Sequence, residues 1–215
     1  MCEIRLLFPV HMITFFQDDT WQSGLEEIRV RVGQPIEFCY GSDNCYLIGK
    51  QKEQMFCSEK DYRRWEKDLY HASEAELREM LNYISNYSLY AYKEEIKQGY
   101  ITIKGGHRVG VAGQTVLVDG KIAGISPITF LNIRIAHEKC GCARKILPLI
   151  RQRDSIYNTL ILSMPGAGKT TLLRDSIRAL SNGEAYGIRL KVCVVDERSE
   201  IAASFHGVPQ NDMGP

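Results

Sequence analysis

Nine consecutive residues constrain this chain more than any others: Ser163-Met164-Pro165-Gly166-Ala167-Gly168-Lys169-Thr170-Thr171. A short apolar run, Asn158 to Leu162, precedes them. A helical pattern, Thr170 to Leu180, follows and is closed by Ser181-Asn182-Gly183. Strand, glycine-rich turn and helix in that order are the setting of a phosphate-binding P-loop. Gly166 and Gly168 let the backbone wrap around an anion with its N–H groups inward, and the helix starting near Lys169 adds the positive end of its dipole. The spacing therefore predicts that Ser163 to Thr171 cradle the phosphates of a nucleoside triphosphate, ATP with Mg²⁺. Lys169 would reach the β and γ phosphates, and the Thr170 hydroxyl would ligate the metal. The usual pattern opens with glycine where this chain has Ser163, but the Gly-Ala-Gly-Lys-Thr heart is intact.

A second apolar run, Leu190 to Val195, ends in Asp196 and Glu197. With the first run and the helix it reads as a βαβ unit, whose parallel strands should be covered on both faces. Carboxylates at the end of a neighbouring strand face the same crevice as the P-loop. Asp196 is thereby a candidate for holding Mg²⁺ through water and Glu197 for orienting an attacking water; the competing reading is that these acids cap the next turn or are simply solvated.

The preceding residues read differently. Ile28 to Val32 alternates, turns at Gly33-Gln34-Pro35 and resumes as Ile36-Glu37-Phe38, an antiparallel start. Ser73 and Glu76 have capping-box spacing ahead of a stripe of Leu77, Met80, Leu81, Ile84 and Tyr87, with Gly99 as the stop. Tyr100 to Ile103, Arg108 to Val118 and Lys121-Ile122 read as strands, the last two joined by an Asp119-Gly120 hairpin turn, and Phe130 to Ala136 as a further one. Ala143 to Arg153 reads as a short helix and polar connector. The expected organisation is an α/β chain, with an N-terminal α+β domain over residues 1–143, a linker over 144–157 and a P-loop core over 158–215.

Composition narrows the partners. Lys and Arg total 27 against 26 for Asp and Glu, a formal charge of +1 that provides no general field toward nucleic acid or anionic lipid. The apolar opening, Ile4 to Phe16, is interrupted by Arg5, Pro9 and His11, and no run is long enough to span a membrane, so any membrane role would be peripheral. Seven cysteines without a repeated C-x-x-C pair fit reduced thiols of a cytosol; Cys140 and Cys142 alone do not complete a metal site.

Five segments in order carry a family resemblance: Gly24 to Pro35, Gly105 to Gly113, Leu131 to Ala136, Gly168 to Asp175 and Val195 to Ala202. With these the chain resembles the stage III sporulation protein AA family of endospore-forming Firmicutes, relatives of the type II and type IV secretion ATPases. The resemblance implies a mother-cell ATPase, cytoplasmic and peripheral to the membrane, that powers a channel complex joining mother cell and forespore. It implies a homo-oligomeric ring, by analogy a hexamer, engaging membrane-embedded sporulation channel proteins. It also implies that the RecA-like, secretion-ATPase-like core is incomplete here: a further strand with the true Walker B would follow Pro215, and Asp196, Glu197 and Glu200 would be the acidic box between the Walker motifs. Binding without efficient turnover is then expected. Arg108 and Arg134 lie in the amino-terminal motifs of the resemblance, and because arginines of that domain in secretion ATPases approach the nucleotide phosphates they are candidates for doing so here; salt bridges within the first domain explain them about equally well. Two other readings compete. One is a P-loop ATPase acting on nucleic acid, suggested by Arg29 and Arg31 on one strand; the other is a small-molecule kinase, disfavoured by the roughly 160 residues ahead of the loop.

Overall fold

The computed structural model describes residues 4–16, 18–49, 55–152, 155–164, 166–184, 187–197 and 199–215. Two compact units form, one of Met1–Ile103 with His107–Ala136, the other of Lys104–Gly106 with His137–Pro215.

The first unit is built on a seven-stranded antiparallel sheet. Its strands are β1 (Glu27–Arg31), β2 (Glu37–Tyr40), β3 (Asp43–Leu47), β4 (Phe56–Ser58), β5 (Tyr100–Thr102), β6 (Arg108–Val118) and β7 (Lys121–Arg134), in the spatial order β4-β3-β2-β1-β7-β6-β5. Because successive side chains alternate across a sheet, Ile28, Val30, Phe38, Val109, Leu131 and Ile133 enter one core while Glu27, Arg29, Arg31, Arg108 and Arg134 take the other face. The apolar opening segment joins that core. Phe8 and Met12 are fully buried, and Phe16 stacks on Trp21 at 4.5 Å between ring centroids.

The Glu74–Ile84 helix begins at the expected capping box: Ser73 Oγ accepts the Glu76 N–H at 3.2 Å, and Glu76 Oε2 accepts the Ser73 N–H at 2.7 Å. Leu77, Met80, Leu81 and Ile84 are buried, as the stripe predicts. Tyr87 is not part of it. The helix stops at Ile84 in a Schellman motif, with Asn86 left-handed at φ 48°, the Asn86 N–H donating to Tyr83 O and the Tyr87 N–H to Asn82 O at 2.7 Å, which leaves the Tyr87 ring exposed. A second helical segment, Leu89 to Lys97, then runs to Gly99. The Asp119-Gly120 turn forms as expected, with φ 53° and 73°. The two runs Lys121-Ile122 and Phe130 to Ala136 belong to the single strand β7, which ends at Arg134.

The second unit contains a 3-10 turn Cys142–Lys145, a one-turn helix Leu147–Ile150, the two-residue strands β8 (Arg151–Gln152) and β9 (Ser155–Ile156), and the Lys169–Asn182 helix, closed by Gly183 at φ 73°. Ala143, Leu147, Ala179 and Leu180 form a small core. The expected strands at Asn158–Leu162 and Leu190–Val195 are absent, and both segments are irregular. Leu160 and Leu162 are each 80% exposed and Val195 90%. The physical reason lies in the pairing: parallel strands are stable when several lie together with helices over both faces, and among the described residues of this unit one long helix is available to cover them.

Candidate functional site

Gly166 and Gly168 adopt φ 77° and 88°, and Gly168 is the N-cap of the Lys169–Asn182 helix. No side chain caps that end. Only glycine takes such backbone angles without strain, so the two glycines create the bend that brings the chain into the helix. Lys169 folds back over the loop: its Nζ donates to Ser163 O at 3.0 Å, Met164 O at 2.9 Å and Ser163 Oγ at 3.3 Å. Ser163 thus contributes both a carbonyl and a hydroxyl to holding the lysine. Ala167 donates its N–H to Met164 O at 3.3 Å, and Thr171 O accepts the Cys142 thiol at 3.7 Å. Pro165 lies outside the described residues.

A cleft of about 380 Å³ opens beside the loop, lined by Lys169, Thr170 and Leu173 from the helix and by Ile161, Val195, Asp196, Glu197, Glu200 and Ile201. The ammonium, the hydroxyl and the three carboxylates singled out in the sequence therefore share one cleft. Their environments differ. Asp196 Oδ1 accepts the Glu200 N–H at 2.9 Å, and Oδ2 accepts those of Ile201 at 3.0 Å and Ala202 at 2.9 Å. The turn-capping role weighed for these acids is thus the one Asp196 occupies. Glu197 is exposed and makes no hydrogen bond among the described residues.

Sequence reasoning passed over three residues that hold this arrangement. Arg174, one turn along the helix, donates from Nε to Ile201 O at 2.6 Å and from Nη2 to Glu200 O at 2.9 Å. Burial pulls its guanidinium below the ordinary arginine value, against the opposing charges of Glu138 and Asp196. The loop is thus gripped by its N–H groups through Asp196 and by its carbonyls through Arg174. On another side of the helix, Asp175 is buried and accepts the Gly141 N–H at 3.0 Å, the Ala143 N–H at 2.7 Å and the Arg178 Nη2 at 2.8 Å. Burial would raise this carboxyl, but the Ala143 and Gly141 amides and the Arg178 guanidinium together hold it below the usual aspartate value. Arg178 continues to Glu184, with Nη2 2.9 Å from Oε2. The available signal was the Asp175/Arg178 spacing of i,i+3 on the helix.

Arg108 and Arg134 belong to the first unit. The Arg108 guanidinium lies 3.6 Å from the Tyr100 ring centroid, and Arg134 Nε lies 3.3 Å from Glu27 Oε1. Arg29 pairs with Glu27 at 2.9 Å and Glu37 at 3.5 Å, and Arg31 with Glu37 at 3.2 Å.

Among known proteins, the model of the family described as sporulation stage III, protein AA matches residues 12–215. The chain belongs to the stage III sporulation protein AA family. It is similar to the stage III sporulation protein AA of Bacillus subtilis (strain 168), with 39% identity over 217 residues covering 100% of this chain and 63% of that relative. The chain thus spans 63% of the length of the curated family member it matches. No solved structure matches it. Among the described residues no helix is long and apolar enough to cross a membrane, and no group of three or more His, Cys, Asp or Glu converges in a way that could hold a metal ion.

Proposed function

We propose that this chain binds ATP with Mg²⁺ and forms part of an ATPase motor subunit of a sporulation channel between mother cell and forespore. The observation that carries the reading is the shared cleft: Lys169 and Thr170, at an uncapped helix N-terminus, face Asp196, Glu197 and Glu200. The donor set suits a polyphosphate. First-turn N–H groups with no capping side chain, a lysine and open space around Gly166 and Gly168 leave room for an anion to approach the backbone. Mg²⁺ asks for few protein ligands because phosphate oxygens and waters complete its shell, so Thr170 and one carboxylate would hold it without a metal-binding cluster. When bound, the ion supplies neutralisation of phosphate charge.

The residues then have separable tasks. Lys169 exchanges Ser163 O and Met164 O for phosphate oxygens, keeping its hydrogen bonds while gaining an opposite charge. Asp196 fixes the loop from Glu200 to Ala202 through three amides and presents its remaining charge to the cleft. Glu197, exposed there and without a hydrogen bond among the described residues, orients water for attack. The family's sporulation role supports the channel assignment, and the resemblance to secretion ATPases supports a cytoplasmic mother-cell subunit in a hexameric ring, held at the membrane by channel proteins. An ATPase acting on nucleic acid is less well supported, because Arg29 and Arg31 direct their charge to Glu27 and Glu37.

The test is titration of a fluorescent ATP analogue with Mg²⁺ into the chain and its Lys169→Ala variant, alongside phosphate release. Saturable binding weakened about 10- to 100-fold in the variant is expected, the range for losing a charge-assisted hydrogen bond. Equal binding by both proteins, or none by either, would overturn the reading.

A further inference from the structure

The distal part of the β6–β7 hairpin is built unlike the rest of its sheet. β5 pairs with β6 over Arg108 to Gly110, and β1 pairs with β7 over Phe130 to Arg134. Beyond those stretches the two strands pair with each other, so from Thr115 to Ile125 they form a two-stranded ribbon with both edges open. Register shifts between Ala112 and Thr115 mark its base, where a Cβ on Gly113 would lie 2.0 Å from Pro127 O, and a further shift falls between Val116 and Leu117, leaving Leu117 to Ile122 as the regular tip. Past the base Val116, Leu117 and Val118 are 39%, 61% and 56% exposed and Ile122 54%. Three successive exposed residues on a strand mean that both faces are bare.

Open strand edges are ordinarily guarded by charge, proline or a covering element, and a ribbon of two strands is marginal in water. Here no charged residue occurs between Arg108 and Asp119 or between Lys121 and Arg134. The charges stand at the tip, on either side of Gly120, and among the described residues neither Asp119 nor Lys121 makes an ion pair.

We infer that this arm is a self-association element, in which the β6 edge of one arm pairs antiparallel with the β7 edge of the arm in a second copy of this chain. Charge complementarity selects that occupant. With the arms side by side, Asp119 of one copy meets Lys121 of the next, whereas β6 against β6 places the tips at opposite ends and leaves both charges unpaired. A β6-to-β7 contact is head-to-tail and leaves one free edge on each outer copy, so it repeats until a ring closes. The inference rests on the self-assembly part of the reading above and is independent of nucleotide binding.

Sedimentation velocity of the 215-residue chain without nucleotide tests it, comparing Asp119→Lys, Lys121→Asp, the double reversal, and Val116→Thr with Leu117→Thr. Concentration-dependent assembly is expected, weakened about fivefold by each single reversal, as for an opposed cross-strand charge pair, and restored by the double reversal. The threonine pair should abolish it with the far-ultraviolet circular dichroism unchanged. Restoration by the double variant separates a paired tip from a misfolded one. Assembly insensitive to every arm variant overturns the arm and leaves self-assembly standing; a chain monomeric throughout overturns both. Flotation of the monomer with phosphatidylcholine vesicles would assign the exposed arm to lipid instead.

Discussion

Asp175 and Asp196 are two carboxylates fixed by backbone amides, one buried under its helix and the other at the rim of the cleft. For Asp175 the folded carboxyl is held below its unfolded value, so its stabilisation is complete above the unfolded value and is lost as pH falls through the folded one. Asp175→Asn should therefore flatten the acid limb of stability and cost about 1 to 3 kcal/mol at neutral pH, since one of the buried Gly141 and Ala143 amides loses its acceptor while Arg178 keeps Glu184. Urea unfolding at a series of pH values checks both. At the cleft the expectation divides: Glu197→Gln leaves stability unchanged and removes any phosphate release, whereas Asp196→Ala also frees Glu200 to Ala202, seen as faster proteolysis there. Motif spacing alone picked out Lys169, Thr170, Asp196 and Glu197, and these four line one cleft. Arg174 and Asp175 were not legible in the sequence, because what they bind is backbone from distant segments, and backbone partners leave no trace in residue type.

At the scale of elements, local chemistry was readable wherever it closed within a few residues. The Ser73/Glu76 box and the Asp119-Gly120 turn are of that kind. Ser73→Ala should cost about 1 kcal/mol, measured as a lower thermal midpoint of the first unit. Termination by Asn86 was hidden because a left-handed asparagine is one of several things that residue does; glycine at Gly99 gave the louder signal and drew the helix too far. β7 read as two pieces because Gly124 and Pro127 interrupt a pattern that the ladder to β6 carries across a bulge. That bulge explains the glycine closing the Gly105 to Gly113 motif. Gly113→Ala should destabilise the first unit by about 1 to 3 kcal/mol, since the nearest obstacle is the Pro127 backbone oxygen and not a movable side chain.

For the whole molecule, two units with separate cores should not unfold as one. Two transitions are expected in calorimetry. MgATP at a hundredfold excess over its dissociation constant should raise the second unit by about 2.7 kcal/mol and leave the first where it was. A shift of the first alone would place the ligand elsewhere. The first unit was legible as α+β because its alternation and stripes are satisfied inside it. The apolar runs at Asn158–Leu162 and Leu190–Val195 carry a buried-strand pattern that the second unit does not use, and their exposed leucines and valine measure that mismatch.

The Lys169–Asn182 helix has one further property. Its first residues form the loop, Arg174 holds the strand of chain carrying Glu200 and Ile201, and Asp175 holds Gly141 and Ala143, a few residues after the first unit ends at Ala136. In mechanical language the helix is a rigid tie rod with three attachments. Within the second unit, displacing its loop end would therefore carry Glu200 and Ile201, and Gly141 and Ala143, with it.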